Sequence, residues 1–215
     1  YYAVQAPAGG INLDTRLLCA LHGWGQSCRS FLRRFEALKE ENILVVAPQG
    51  PHQMYLDMAT RKVGFSWLTT YDRNRAMVDL MGLIDGVLDE VRATTGLTAV
   101  PHLLGFSQGV SIAYRYHLLG GRPVAGIIAC GGDLPADVRY AVAAVDSLSV
   151  LLVHGKDDGS GCTPNKHSHR ANWVRQGRQD AVIFASLYPI GVCYRVYIFP
   201  IPESSLSCPM PPRRS

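Results

Sequence analysis

Short apolar runs recur along this chain, and most are followed by a stretch with helical periodicity. This alternation constrains the fold more than any other feature of the sequence. Arg16–Leu21 (RLLCAL) and Ile43–Ala47 (ILVVA), the second stopped by Pro48, read as buried strands. Val100–Leu104, Val124–Cys130 and Leu148–Val153 are of the same kind, and Ala181–Tyr188 is a candidate for the last strand. Between them, Phe31, Phe35 and Leu38 fall on one helical stripe, with Ser27 or Ser30 available as N-cap. Met77, Leu80, Met81, Ile84, Leu88 and Val91 mark a second helix ending near Gly96, and Val110–Leu119 a third. Pro48 to about Phe65 shows no clear period and is expected to be a long loop. Continuous apolar runs, as opposed to alternating ones, belong to strands buried on both faces. Strands of that kind, alternating with amphipathic helices, predict an α/β fold: a mostly parallel sheet with right-handed crossovers and helices on both faces. Ligands bind such sheets at the carboxyl ends of the strands. The residues directly after each run are therefore where chemistry is sought.

Composition narrows the setting. A length of 215 residues suits one domain, and 47% hydrophobic residues with a net charge of +4 exclude a disordered chain. No run approaches the 18 or so apolar residues of a membrane helix, so no membrane span is expected. No dense basic cluster with interleaved aromatics is present, so nucleic acid is not an expected partner. The charge is uneven: residues 1–156 carry 14 Lys+Arg against 13 Asp+Glu, whereas residues 157–215 carry 7 against 4. The six cysteines (19, 28, 130, 162, 193, 208) show neither a C-x-x-C pair nor zinc spacing. Cys19 and Cys130 sit in apolar runs, where a reduced thiol behaves as a small hydrophobe. A reducing cytoplasm is the compartment this predicts. Tyr1-Tyr2 opens the sequence without a charged, then apolar, leader, so no signal peptide is expected.

The strand ends carry specific chemistry. After the run at 100–104 comes Gly105-Phe106-Ser107-Gln108-Gly109, a G-x-S-x-G pentapeptide that opens a helix pattern. A serine on a sharp strand-to-helix turn has its hydroxyl lifted clear of the sheet, and flanking glycines admit the close backbone approach. The helix behind it points amides and a positive dipole end at any developing oxyanion. The alternative is a tight glycine turn with an ordinary serine. His22-Gly23-Trp24-Gly25 follows the run at 16–21, and the amides of Trp24 and Gln108 are the two candidates for an oxyanion hole. His22 itself reads as a structural hydrogen-bonding residue of that turn. His154-Gly155-Lys156-Asp157-Asp158 follows the run at 148–153. A carboxylate in that place can orient a catalytic imidazole, with Asp158 the first choice and Asp157 the second. A solvated acidic turn is the plainer reading.

On these residues the chain resembles α/β-hydrolases of the phospholipase/carboxylesterase group, which includes acyl-protein thioesterases. The matching segments are LHGWGQS at 21–27, VVAPQGP at 45–51, GFSW at 64–67, HLLGFSQG at 102–109 and VLLVHGKDD at 150–158. They cover the chain to about residue 160, in the family's order. The resemblance implies an α/β-hydrolase fold with Ser107 as nucleophile, oxyanion amides at Trp24 and Gln108, and Asp158 as the acid. It implies carboxylic esters or acyl thioesters as substrates, with no metal and no organic cofactor. The related dienelactone hydrolases carry cysteine at the elbow; Ser107 separates this chain from them.

One departure stands out. The family closes its triad with a His beyond the last strand, but the seven histidines here (22, 52, 102, 117, 154, 167, 169) end at His169. His167 and His169 follow the acid closely and read as solvated residues at the start of a helix. Cys193–Pro202 is apolar and aromatic where a Gly-His loop belongs, and six of the 13 prolines fall after residue 188. Residues 1–188 are thus expected to form the hydrolase domain, and residues 189–215 an atypical, partly disordered tail. Three readings remain open: an ester hydrolase whose end has been altered, as by a frame change; a protein that binds an acyl ligand without turnover; and an esterase with an unorthodox base. Elsewhere Trp67 and Gln49 are candidates to line the substrate pocket, with a packing role as the alternative for Trp67. His52 stands beside Gln49 in that reading. Arg73 and Arg75 read as a solvated helix face, and Met77 and Met81 as core filling.

Overall fold

The computed structural model describes residues 1–120, 122–138, 149–155 and 194–199. Seven strands form one sheet: β1 (Tyr2–Gln5), β2 (Arg16–Leu21), β3 (Ile43–Pro48), β6 (His102–Phe106), β7 (Gly126–Cys130), β8 (Val150–Gly155) and β9 (Tyr194–Phe199). Their order is β1-β3-β2-β6-β7-β8-β9. The five central strands run parallel, while β1 and β9 pair antiparallel at the two edges. This is the mostly parallel sheet that the continuous apolar runs demand.

Side-chain parity shows why those runs do not alternate. Leu17, Cys19 and Leu21 of β2 point into one core, and Leu18 and Ala20 into another on the opposite face. The first core is completed by helices α2 (Arg73–Thr95) and α3 (Gln108–Gly120), through Leu80, Ile84, Leu88, Val91, Val110 and Ile112. The second is closed by helix α1 (Cys28–Leu32) and the 3-10 helix Arg33–Glu40 that continues it, through Phe31, Phe35 and Leu38. The stripe expected to be one helix is thus a single α-helical turn followed by 3-10 geometry, with the same three side chains buried. Of the two N-cap candidates, Ser27 caps: its hydroxyl accepts the Ser30 amide in a capping box. Met77 and Met81 pack against the first core, and Arg73 and Arg75 are exposed, as expected.

Two segments differ from the sequence expectation. The stretch from Pro48 to Phe65 is not a long loop; it holds a hairpin of β4 (His52–Asp57) and β5 (Lys62–Ser66). Its β4 strand does alternate, with Met54 and Leu56 half-buried between exposed Gln53, Tyr55 and Asp57. The exposed Tyr55 and polar neighbours hid that period among turn-forming residues. At the other end, β9 lies within the segment read as a tail, where alternating Val196 and Ile198 supply strand propensity. The candidate strand at 181–188 lies outside the described residues.

Among the described residues no helix is long and apolar enough to cross a membrane. Cys19, Cys28 and Cys130 are buried and form no disulfide among the described residues, and burial pushes the Cys19 thiol up to about 12.

Candidate active site

Strand β6 passes into α3 through a single residue, Ser107, whose φ is +52°. A residue with a Cβ occupies this left-handed region at a cost of about 1–3 kcal/mol, so the surroundings must hold it there. They do so on both sides. The Ser107 amide donates to the Cys130 carbonyl at 2.9 Å, and its carbonyl accepts the Val110 amide at 3.0 Å. Ser107 is exposed at this turn. Two glycines make the turn possible. A Cβ on Gly105 would lie 2.5 Å from both the amide nitrogen and the Cα of Val110. One on Gly109 would lie 2.1 Å from the Leu21 carbonyl oxygen and 2.8 Å from that of His22. The first turn of α3 therefore sits directly on the end of β2.

That contact joins the serine to the loop after β2. In the parallel register Leu21 stands opposite Gly105, so residues 22–27 and Ser107 leave neighbouring strand ends. The backbone amides of this loop are almost all committed. Gly23 donates to Gln26 Oε1 (2.8 Å), Ser27 to Ser30 Oγ (3.1 Å) and Cys28 to Gln49 Oε1 (2.9 Å). Gly25 donates to the Phe65 carbonyl (2.8 Å) and Gln26 to that of Gly23 (3.2 Å). Within 23–28, Trp24 is the residue whose amide has no acceptor among the described residues. Its side chain is 59% exposed. On the other side, the first amides of α3, starting with Gln108, have no acceptor within their own helix.

His22 is fully buried, and both of its ring nitrogens are occupied. Nε2 faces the Gly50 amide at 2.9 Å and Gln49 Nε2 at 3.0 Å, while Nδ1 lies 2.8 Å from the Gly23 carbonyl. The Gly50 amide can only donate, so Nε2 accepts and the ring proton is on Nδ1, donated to Gly23. Burial holds the imidazole below its ordinary 6.5, partly offset by the Gly23 bond. This is the structural histidine expected from the sequence, and it has no lone pair left for a substrate proton. Burial lowers His117 as well. With both groups depressed in the native state, the unfolded chain binds more protons as pH falls below about 6.5, and stability declines from there downward. The urea midpoint should therefore fall as pH is lowered from about 6.5; a flat or rising midpoint would contradict a neutral, buried His22. The carboxylate of Asp137, which the Arg115 guanidinium holds below its usual 3.8, titrates at still lower pH.

The remaining sequence candidates are placed as follows. Trp67 is fully buried: its indole donates to the His22 carbonyl at 2.7 Å and its ring centroid lies 4.7 Å from that of His22. It supports the loop from behind, the packing role that stood as the alternative for it. Gln49 is 8% exposed and borders a cavity of about 560 Å³ with Cys28, Pro51, Gln53, Phe65 and Leu83. Ser107 is not on its wall. His52 begins β4, paired with Ser66, and is half-buried. Asp157, Asp158, His167 and His169 lie outside the described residues. One link was not foreseen from sequence: the side chain of Gln108 ties the hairpin to the serine turn. Its Oε1 accepts the Trp67 amide (3.0 Å), and its Nε2 donates to the Leu68 carbonyl (3.1 Å) and Ser66 Oγ (3.0 Å). A Gln inside the pentapeptide, with alternation upstream at 52–57, was the available signal.

Comparison with known proteins agrees with this fold. The family model for phospholipase/carboxylesterase matches residues 10–171. The crystal structure of esterase PE8 superposes with a TM-score of 0.56 at 27% identity, covering 71% of this chain and 73% of that one. A carboxylesterase from Mesorhizobium loti gives a TM-score of 0.50 at 18% identity, over 63% of this chain and 62% of its own length. At that identity the second likeness speaks for the fold alone. No curated protein sequence matches the chain. The match over residues 10–171, which takes in both the Ser107 turn and the loop after β2, places the chain in the phospholipase/carboxylesterase family of α/β-hydrolases.

Proposed function

We propose that the chain is a serine hydrolase of carboxylic esters, short-chain esters or acyl thioesters, working through an acyl-enzyme. Ser107 Oγ attacks the acyl carbonyl carbon, and the oxygen that becomes negative is held by the amides of Trp24 and Gln108. The tetrahedral intermediate collapses, the bond to the alcohol or thiol breaks, and the acyl group stays on Ser107. The serine proton passes through a general base to the leaving group. Water then attacks the acyl-enzyme and releases the acid. Asp158, shortly beyond β8 in the sequence, is the carboxylate proposed to orient that base. The observation that carries this reading is Ser107 itself, held exposed in a left-handed conformation at the start of α3, beside a loop in which the Trp24 amide has no acceptor among the described residues. Membership of the phospholipase/carboxylesterase family supports the substrate class. The experiment is p-nitrophenyl acetate hydrolysis: a burst of p-nitrophenolate followed by steady turnover is expected, both lost in Ser107→Ala.

A second reading, an acyl-ligand binder without turnover, is favoured by two observations on the histidines. His22 has no free ring nitrogen, and no histidine follows His169 in the chain. Without a base, catalysis over water would be limited to the roughly 10³–10⁴-fold that an oxyanion hole and binding supply. This reading expects a fatty acid to raise the melting temperature while p-nitrophenolate release stays at background.

A further inference from the structure

We propose that Gln49 is a positioning residue for the loop that carries Trp24, an inference that rests on the oxyanion role given to that loop above. One carboxamide, more than nine-tenths buried, holds both ends of the segment 22–28. Its Oε1 accepts the Cys28 amide at 2.9 Å, where the loop enters α1, and its Nε2 meets His22 Nε2 at 3.0 Å, where the loop leaves β2. The donor directions are forced. The Cys28 amide can only donate, so the carbonyl side of Gln49 faces it and the NH₂ faces His22. The Gly50 amide, also only a donor, reaches the same His22 nitrogen at 2.9 Å. His22 Nε2 must therefore accept, and Nδ1–H must donate to the Gly23 carbonyl, the next residue of the loop. The His22 carbonyl is fixed in turn by the Trp67 indole.

The result is a chain of single-option hydrogen bonds running from the end of β3, through Gln49 and His22, into the backbone around Trp24. An oxyanion donor contributes most when its direction is set before charge develops, so that no reorganisation is needed at the transition state. A carboxamide is suited to this because it is uncharged and presents one acceptor and one donor side in a plane. Gln49→Glu keeps the shape but turns an oxygen toward the His22 lone pair; with the new carboxyl ionised at neutral pH, the contact is satisfied by a second proton on His22, which then opposes the Gly50 amide. Gln49→Met keeps the volume and removes both bonds.

The test uses the full ¹⁵N-labelled chain at pH 7.5. In the native protein His22 is expected to show a protonated Nδ1 and an unprotonated Nε2, and in Gln49→Glu the signature of an imidazolium. In Gln49→Met, amide exchange should quicken roughly tenfold at Cys28 and also within residues 23–26. The rate constant for covalent reaction of Ser107 with a fluorophosphonate should fall about tenfold in both variants, with reagent affinity unchanged. A native Nε2–H tautomer would overturn the proposal. So would a Gln49→Met variant in which only the Cys28 amide responds, or one that labels at the native rate. If Gln49→Met does not fold, the native tautomer and the Gln49→Glu spectrum decide. A native protein that shows the expected tautomer and exchange pattern but is never labelled counts against the serine-hydrolase reading, and not against the placement of Gln49.

Discussion

Gly109→Ala is expected to cost about 4 kcal/mol of stability or to prevent folding altogether, at the exceptional end of single-substitution effects. The added Cβ would stand 2.1 Å from the Leu21 carbonyl oxygen and 2.8 Å from that of His22. Both are backbone atoms, in β2 and in the loop after it, so no side-chain rotation relieves the contact. To make room, α3 must lift away from the end of β2, which separates the Ser107 turn from the Trp24 loop. Gly82 and Gly86 provide the contrast. Both lie inside α2, and an added Cβ at either meets nothing within 4 Å. There alanine should stabilise by up to about 1 kcal/mol, the ordinary helix-propensity difference. Urea midpoints of the three variants check the pair of signs; a Gly109→Ala midpoint equal to that of the native chain would mean that α3 does not sit on β2 as described.

Substitutions at Ser107 should separate stability from chemistry. Ser107→Ala is expected to drop p-nitrophenyl acetate hydrolysis to background, because no second nucleophile replaces the hydroxyl at the turn. Ser107→Gly should abolish hydrolysis equally while raising stability by about 1 kcal/mol, since glycine occupies φ near +52° without the Cβ penalty. For a chain of this size that is a rise of roughly 2–4 °C in melting temperature. An opposite sign for the glycine variant would mean that the strain at Ser107 is relieved in solution. Proteins keep strain of this kind where function needs it, which is why the more stable variant is expected to be the inactive one.

What was legible in the sequence follows physical lines. Strands β2, β3, β6, β7 and β8 could be read because burial on both faces leaves no polar residues to break the run, as in the ILVVA of β3. The serine turn could be read because its five-residue pattern is contiguous, although only Gly105 is dictated by a local contact, with Val110, while Gly109 answers to the Leu21 and His22 carbonyls far away in sequence. The β4–β5 hairpin could not, since exposed Tyr55 and Val63 blur its alternation. Trp67 and Gln49 illustrate the other limit. An aromatic and a carboxamide after strand ends suit a pocket wall and a buried strut equally well. The partners that hold them, the His22 carbonyl for Trp67 and the Cys28 amide for Gln49, are both far away in sequence. The pairing of β8 with β9 is likewise a long-range fact that the proline-rich composition after residue 188 concealed.

The proposed hydrolase function rests on Ser107 as its nucleophile. Its most direct test is intact-protein and peptide mass spectrometry after treatment of the folded chain with a fluorophosphonate. A single phosphonyl adduct is expected on the peptide bearing Ser107, absent from Ser107→Ala and from urea-unfolded protein. A folded native chain that takes up no adduct, or carries it on another residue, would contradict it.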